Sequence, residues 1–370
     1  MSAAIGSAGR AALVAGFVAA AALRIGFLAS LSPNWDTNAY AEVARTLDSG
    51  GALYRDTVRY NYSPVWALLL RVFARFSGEG GIPLHRVVGG FLLLADVATA
   101  WIVFRVARDV LLRPRRTAAG AALLFFANPV SVFVTGFHAQ FDGLAIAFLM
   151  LAIWLAGRSR PQPLASAGAL AGSLLVKHVT AFHPILFWRG AKGSRRLVFL
   201  LLPYAIFGAS FLPYWRVRGA VFAHVFAYRS MAEDYGTAML RKLPGIPDWA
   251  PTVLFAAAAL TAAIALARLE LTRGSLLLFL VLLVFAPGMA QYYFVWPIAL
   301  GSLFGGAGYA VFTLVVSAFF LGSPDGLGLP LEHLPGWHGI WFATVFWLLW
   351  EIRLLPKSAL SPNRLSGVKG

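Results

Sequence analysis

"RVARDVLLRPRR" (105–116) sets five arginines against one aspartate, between an apolar run at 84–108 and another at 116–135. The chain has 370 residues, 59% of them hydrophobic and 12% charged, with a mean hydropathy of +0.73. Soluble domains carry about 25% charged residues, so the balance predicts a polytopic membrane protein. In such a chain, short basic loops stay on the cytoplasmic side. The side assigned to 105–116 therefore orients every other segment.

Twelve apolar segments are legible: 10–31, 62–76, 84–108, 116–135, 140–157, 164–188, 197–215, 251–267, 274–287, 291–306, 307–322 and 337–354. Crossing takes about 20 apolar residues. If all twelve cross, starting from a cytoplasmic N-terminus, both 105–116 and "GRSRP" (157–161) fall outside, against the positive-inside bias. The conflict disappears if 62–76, which opens on "YSP" and carries Arg71 and Arg75, is an interfacial or re-entrant helix. Segment 164–188, with Lys177 in its middle and Pro184 near its end, then becomes a broken pair of half-helices returning to its own side. The basic loops all become cytoplasmic, whereas eleven of the fifteen acids lie outside.

The expected architecture is an all-α polytopic bundle of about 10–12 transmembrane segments in a single domain spanning 1–370. Both termini lie inside, and two large outer loops, 32–83 and 216–250, include interfacial helices in the first. The net charge of +16 follows from this sidedness and does not indicate nucleic acid as a partner. With no cysteine, disulfides and thiolate metal sites are excluded. Arg24 interrupts the first apolar run and no clear cleavage site follows, which predicts a retained signal-anchor. No internal repeat is evident, against an inverted-repeat transporter.

Four features converge on the outer face. "SPNWDTNAY" (32–40) carries Asp36 just after the first span, and "ALYRDTVRYNYSPVW" (52–66) follows with Arg55, Arg59 and Tyr62. "NPVSVFVTGFHAQFDGLAI" (128–146) holds His138, Gln140 and Asp142. "LLVKHVTAFHP" (174–184) holds Lys177 and His178 at membrane depth. "APGMAQYYFVWP" (286–297) holds Gln291 and Tyr292 in an aromatic joint.

Each residue has two readings. Asp36 is a helix cap or solvated loop charge, or a general base that accepts a proton from a hydroxyl. Asp142 divides in the same way, and the two acids sharing a face, with His138 and Gln140 beside Asp142, favours chemistry. Lys177 either snorkels to an interface or offers a point charge to a lipid phosphate. Arg55 and Arg59 are phosphate candidates or ordinary interfacial arginines. Asp96, mid-span in "LLLADVATA", is a functional intramembrane acid or a buried partner of Arg24. His183, before Pro184, reads as structural, and Gln291 with Tyr292 and Tyr293 also reads as an aromatic belt. No Gly-rich nucleotide cradle, HExxH or carboxylate–histidine metal cluster occurs, so neither a soluble nucleotide donor nor a divalent metal has support.

Taken in order, these pieces resemble the GT-C superfamily of integral-membrane glycosyltransferases, which use polyprenyl-phosphate sugars. Five carry the resemblance: Asp36 after the first span, "YNYSPVW", "NP" followed by "HAQFD", Lys177, and the late "PGMAQYYFVWP". "HAQFD" is similar to the "HGHFQYN" run of dolichyl-phosphate-glucose-dependent glucosyltransferases, and the late motif to bacterial mannosyltransferases. No "DxD" or "EPP" signature stands in the first loop. The resemblance implies inverting transfer of a hexose, mannose or glucose, from a lipid-linked donor to a glycan, lipid or protein acceptor.

It further implies Asp36 as base, and Asp142 with His138 and Gln140 on sugar hydroxyls or assisting that base. Lys177, Arg55 and Arg59 fall on the donor phosphate, with Tyr62, His178, Gln291 and Tyr292 completing the substrate-binding set. No cofactor is implied beyond the donor itself, and the expected location is a bacterial plasma membrane with the site on the extracytoplasmic face. Two other classes stay open: a lipid-linked oligosaccharide flippase, or an O-antigen-type polymerase or ligase using arginines of loop 216–250 such as those in "RSMAEDYGTAMLRK".

Overall fold

The computed structural model describes residues 7–30, 32–57, 59–77, 81–228, 234–323, 326–330 and 335–355, whose regular secondary structure is helical, with no strand among them. Of the acids expected on the outer face, Glu79, Glu233, Asp325 and Glu332 lie outside the described residues, as does most of the C-terminal tail. The first half comprises α1 (Ser7–Ser30), α2 (Trp35–Asp48), α3 (Pro64–Arg75), α4 (Leu84–Arg105), α5 (Arg115–Phe126), α6 (Pro129–Val132), α7 (Asp142–Gly157) and α8 (Pro163–Val176). The second comprises α9 (His183–Gly190), α10 (Arg195–Ala209), α11 (Arg218–Val221), α12 (Ala250–Leu266), α13 (Leu271–Val284), α14 (Ile298–Phe304), α15 (Gly306–Gly322) and α16 (Trp337–Arg353).

Two helices, Gly9–Ser30 and Leu84–Val110, are long and apolar enough to cross a membrane. The number rises to four if each bent pair counts as one span: Arg115–Phe126 with Pro129–Phe137, bent by 48°, and Arg195–Ala209 with Leu212–Phe226, bent by 59°. Proline explains both bends, because Pro129 and Pro213 cannot donate to the preceding turn. The other apolar runs are cut by proline and glycine into helices of 10–17 residues, among them α7, α8, α12, α13 and α15. Length alone thus gives two to four spans where the apolar runs predict ten to twelve.

Burial sorts the helices. α7 and α13 are apolar all round and almost wholly enclosed, as a central helix must be. Serines stitch α8 to α7: Ser166 Oγ donates to the Ala152 carbonyl and Ser173 Oγ to that of Ala145, each at 2.7 Å. By contrast α1, α4, α10 and α12 turn large apolar side chains outward, including Val14, Val18, Leu94, Trp101, Leu197 and Leu260. An exposed apolar surface of this extent suits hydrocarbon rather than water.

Arg24 ties α1 to the bundle. It is 1% exposed, and its Nη1 donates to Asp96 Oδ2 at 2.7 Å and to the Ser131 carbonyl at 3.2 Å. Its Nη2 donates to the Phe126 carbonyl at 2.8 Å and to Ser131 Oγ at 3.0 Å. Both carbonyls lie by the bend between α5 and α6, where the Val130 amide that would reach the Phe126 carbonyl donates instead to Asn128 Oδ1 at 2.9 Å. Of the two readings of Asp96, the buried partnership with Arg24 is the one present.

Between α1 and α4, α2 and α3 are amphipathic and pack against each other. Their inner faces, carrying Tyr40, Val43, Trp66 and Leu70, join Tyr54, Tyr60, Tyr62 and Phe141 in a second, aromatic core. The break expected in 164–188 is also present. α8 ends at Val176, Lys177 is extended (φ −156°, ψ 125°), and a 3₁₀ turn at His178–Thr180 leads towards α9. Ser63, from "YNYSPVW", donates its hydroxyl to the Leu175 carbonyl that the break leaves free.

Candidate functional site

The site is built where α2, the 138–141 turn, the break at Lys177 and the 291–296 joint meet. Asn34 caps α2 by accepting from the Thr37 amide at 2.9 Å, while Thr37 Oγ1 accepts from the Asn34 amide at 2.8 Å. The Asn34 side chain also donates to the His138 carbonyl at 3.2 Å. This cap fixes Asp36, in the first turn of α2, beside "HAQFD". One turn on, the buried Tyr40 hydroxyl reaches Gln140 Oε1 at 3.2 Å.

The turn itself is strained. Ala139 has φ +51°, a left-handed conformation uncommon for a residue with a side chain. The reversal turns Phe141 into the aromatic core, where it stacks on Trp66 at 4.2 Å, and starts α7 at Asp142. Gln140 is 1% exposed, and its Nε2 has no partner among the described residues.

Asp142 is fully buried, and both carboxylate oxygens are taken. Oδ2 accepts from Lys177 Nζ and Oδ1 from Trp296 Nε1, each at 2.7 Å. Four rings surround the ammonium: Tyr292 at 4.6 Å, Tyr293 at 4.7 Å, Tyr62 at 5.1 Å and Phe141 at 5.5 Å from Nζ. Cation–π attraction adds to the ion pair in such a dry setting. Lys177 is therefore committed to Asp142 rather than held free for a phosphate.

Two cavities flank this network. The larger, about 400 Å³, is lined by Asn34, Trp35, Asp36, His138 and Gln291 together with Ser30, Ser32, Pro33, Phe137 and Gly326. Asp36 is half-buried there, and its charge acts on Lys177, Tyr40 and Tyr292. Gln291 Nε2 stands 3.5 Å from His138 Nε2. Burial pulls the His138 imidazole down to about 4, so the ring is neutral at physiological pH. The smaller cavity, about 250 Å³, lies on the other side of Lys177, between the broken segment, the 3₁₀ helix Gly236–Lys242, α12 and α13. Tyr62, Lys177 and His178 reach it, with Asn61, Tyr228 and Arg241.

The structure thus brings Asp36, His138 and Gln291 to one cavity, and Tyr62, Lys177 and His178 to the other. Asp142, Gln140 and Tyr292 form the wall between. Arg55 does not join them. Its side chain is 67% exposed and forks onto Asp56 at 2.7 and 3.1 Å, and that bond together with the Ala52 amide draws the Asp56 carboxyl down to about 2. Arg59 lies 3.8 Å over the Trp35 ring, at the rim of the larger cavity. Trp296 and Arg241 are the residues the sequence reading passed over, although both stand within quoted motifs. Among the described residues, no three His, Asp or Glu side chains are grouped to hold a metal.

Comparison with known proteins finds no matching family model, no matching curated protein and no matching solved structure.

Proposed function

We propose that this chain is a membrane glycosyltransferase of the GT-C type, moving a hexose from a polyprenyl-phosphate donor to a lipid-linked or extracytoplasmic acceptor. The supporting observation is the pairing of two unlike cavities across one wall. An acid, Asp36, stands at the polar one, and the other combines cations with apolar walls formed by Phe182, Phe255 and Leu282. A hydroxylic acceptor and a prenyl phosphate need environments of these two kinds.

In the proposed step, Asp36 takes the proton of the acceptor hydroxyl, whose oxygen attacks the anomeric carbon. The bond from that carbon to the phosphate oxygen breaks, the electron pair leaves on the phosphate, and configuration inverts. Gln140, which lines neither cavity, accepts the Tyr40 hydroxyl and so braces the turn that carries His138. Asp142 and Lys177 hold the wall between the two substrates. Ten to twelve segments in a bacterial plasma membrane, with the site facing outward, complete the reading. A transporter would draw on Arg24, Asp96 and Lys177, but each is held by local partners.

The test is Asp36→Asn in the purified, membrane-inserted chain, supplied with polyprenyl-phosphate mannose and glucose. Loss of a general base is expected to slow transfer by roughly 10²–10⁴-fold. Full transfer by the variant would remove Asp36 from the chemistry.

A further inference from the structure

Where α1 lies against α4 and α5, the three helices leave an open groove of about 430 Å³. Its walls are Phe17, Val18, Val97, Trp101, Phe104 and Phe126, and alanines complete the lining. Val18, Val97 and Trp101 also belong to the apolar surface turned outward, so the groove opens towards hydrocarbon. Along α4 it follows two turns, from Val97 to Phe104, about 10 Å of helix. α1 is thinly held beside it, since its apolar stretch is 11% buried against 44% for that of Leu84–Val110. A trough of this length and polarity fits an acyl chain, which gains dispersion contacts with all three helices.

One end of the groove is basic. Phe126 packs on Phe17 at 5.8 Å and Arg24 reaches Ser131, so α1 and the α5–α6 segment run side by side in the same sense. Arg10, near the start of α1, therefore comes level with the first turn of α5, which opens on Arg115 and Arg116. α4 ends there as well, at Arg105, and Arg108 and Arg113 lie in the connection that follows. Against these six arginines the same connection sets one acid, Asp109. The positive-inside bias accounts for arginines in such a loop, but not for how Arg105 is fixed. Its Nε donates to Asp109 Oδ2 at 2.8 Å, and its guanidinium lies 4.9 Å over Trp154 and 5.3 Å over Trp101, itself a wall of the groove. The apolar trough and the cationic cluster are thus one continuous surface.

We propose that the groove seats an acyl chain of an anionic diacyl phospholipid of the surrounding bilayer, whose phosphate is held by Arg105 with Arg115 and Arg116. The bound lipid fills the seam between α1 and its neighbours and so fastens the most weakly enclosed span. This site is separate from the proposed sugar chemistry, because Arg10 and Asp36 stand at opposite ends of α1.

The experiment is quenching of tryptophan fluorescence by brominated phospholipids, with the purified full chain in vesicles of mixed phosphatidylcholine and phosphatidylglycerol. The Trp101 signal is the difference between the parent and Trp101→Phe. Brominated phosphatidylglycerol is expected to be preferred over brominated phosphatidylcholine by at least roughly fivefold, the contribution of one arginine at a bilayer surface. Arg115→Gln with Arg116→Gln, both exposed, is expected to bring the two lipids within roughly twofold of each other. Arg195→Gln with Arg196→Gln, at the start of α10, is expected to leave the preference unchanged.

Equal quenching by the two lipids in the parent, or a preference that survives Arg115→Gln with Arg116→Gln, would overturn the anionic head group. A preference lost equally in Arg195→Gln with Arg196→Gln would reveal a diffuse surface field and refute a local site. Ala119→Phe fills the groove and is expected to abolish the preference, and an undiminished preference would refute the seated chain. Should that variant fail to accumulate, glycerophosphoglycerol, the head group without its chains, tests the same point on the unaltered protein. It is expected not to displace the lipid at equal concentration, and displacement would show that the acyl chain contributes nothing.

Discussion

Replacing Lys177 by methionine keeps most of the side-chain volume and removes the charge. Asp142 would then be a fully buried carboxylate, retaining only the Trp296 indole of its two partners. Breaking a buried pair from one side costs about 3–5 kcal/mol, because the orphaned charge stays out of water. The double variant Lys177→Met with Asp142→Leu removes that charge as well. It leaves an unmet indole N–H, a penalty of about 1–3 kcal/mol. The double variant is thus expected to be about 2 kcal/mol more stable than Lys177→Met alone. Reversible unfolding in mixed SDS and dodecyl maltoside micelles, followed by tryptophan fluorescence, measures all four corners of the cycle. Additive losses, or a Lys177→Met variant within about 0.5 kcal/mol of the parent, would refute the buried pair.

Three further outcomes follow from the geometry. Arg24→Met strands Asp96 and two bend carbonyls, so a loss of about 3–5 kcal/mol is expected in the same unfolding assay, and an unchanged midpoint would contradict the pin on α1. Trp296→Phe removes one charge-assisted bond to Asp142 and is expected to cost about 1.5–3 kcal/mol. His138, whose folded value is depressed to about 4, contributes stability that is complete above about pH 6.5 and is lost as pH falls towards 4, up to about 3 kcal/mol in all. His138→Asn should flatten that part of the acid-unfolding curve, and an unchanged curve would show that the ring protonates freely.

The sequence disclosed what local chemistry controls. A lysine and a proline inside one apolar run foretold the break at Lys177, and two arginines in a short run marked α3 as amphipathic. A lone arginine and a lone aspartate at membrane depth left Asp96 either a functional acid or the partner of Arg24, and the contact between them decides for the second. What stayed hidden depends on contacts across the bundle. The bond from Trp296 to Asp142 joins positions 154 apart, and the indole carries no periodicity to announce it. Lys177 looked free for a phosphate because its carboxylate lies 35 positions away on another helix. Arg55 looked like a ligand until its adjacent Asp56 proved to hold it, and Arg241 sat unremarked in a loop whose fold brings it inward.

The wall between the cavities also has a history during synthesis. Lys177 follows Asp142 by 35 residues, so the two charges can enter the bilayer as a neutral pair rather than one at a time. The indole that completes the carboxylate arrives 154 residues after Asp142. At about 5–20 residues per second, that interval is roughly 8–30 s. For that time the nascent bundle carries an aspartate with one open oxygen, and a chain arrested before Trp296 would keep its central acid half-dressed.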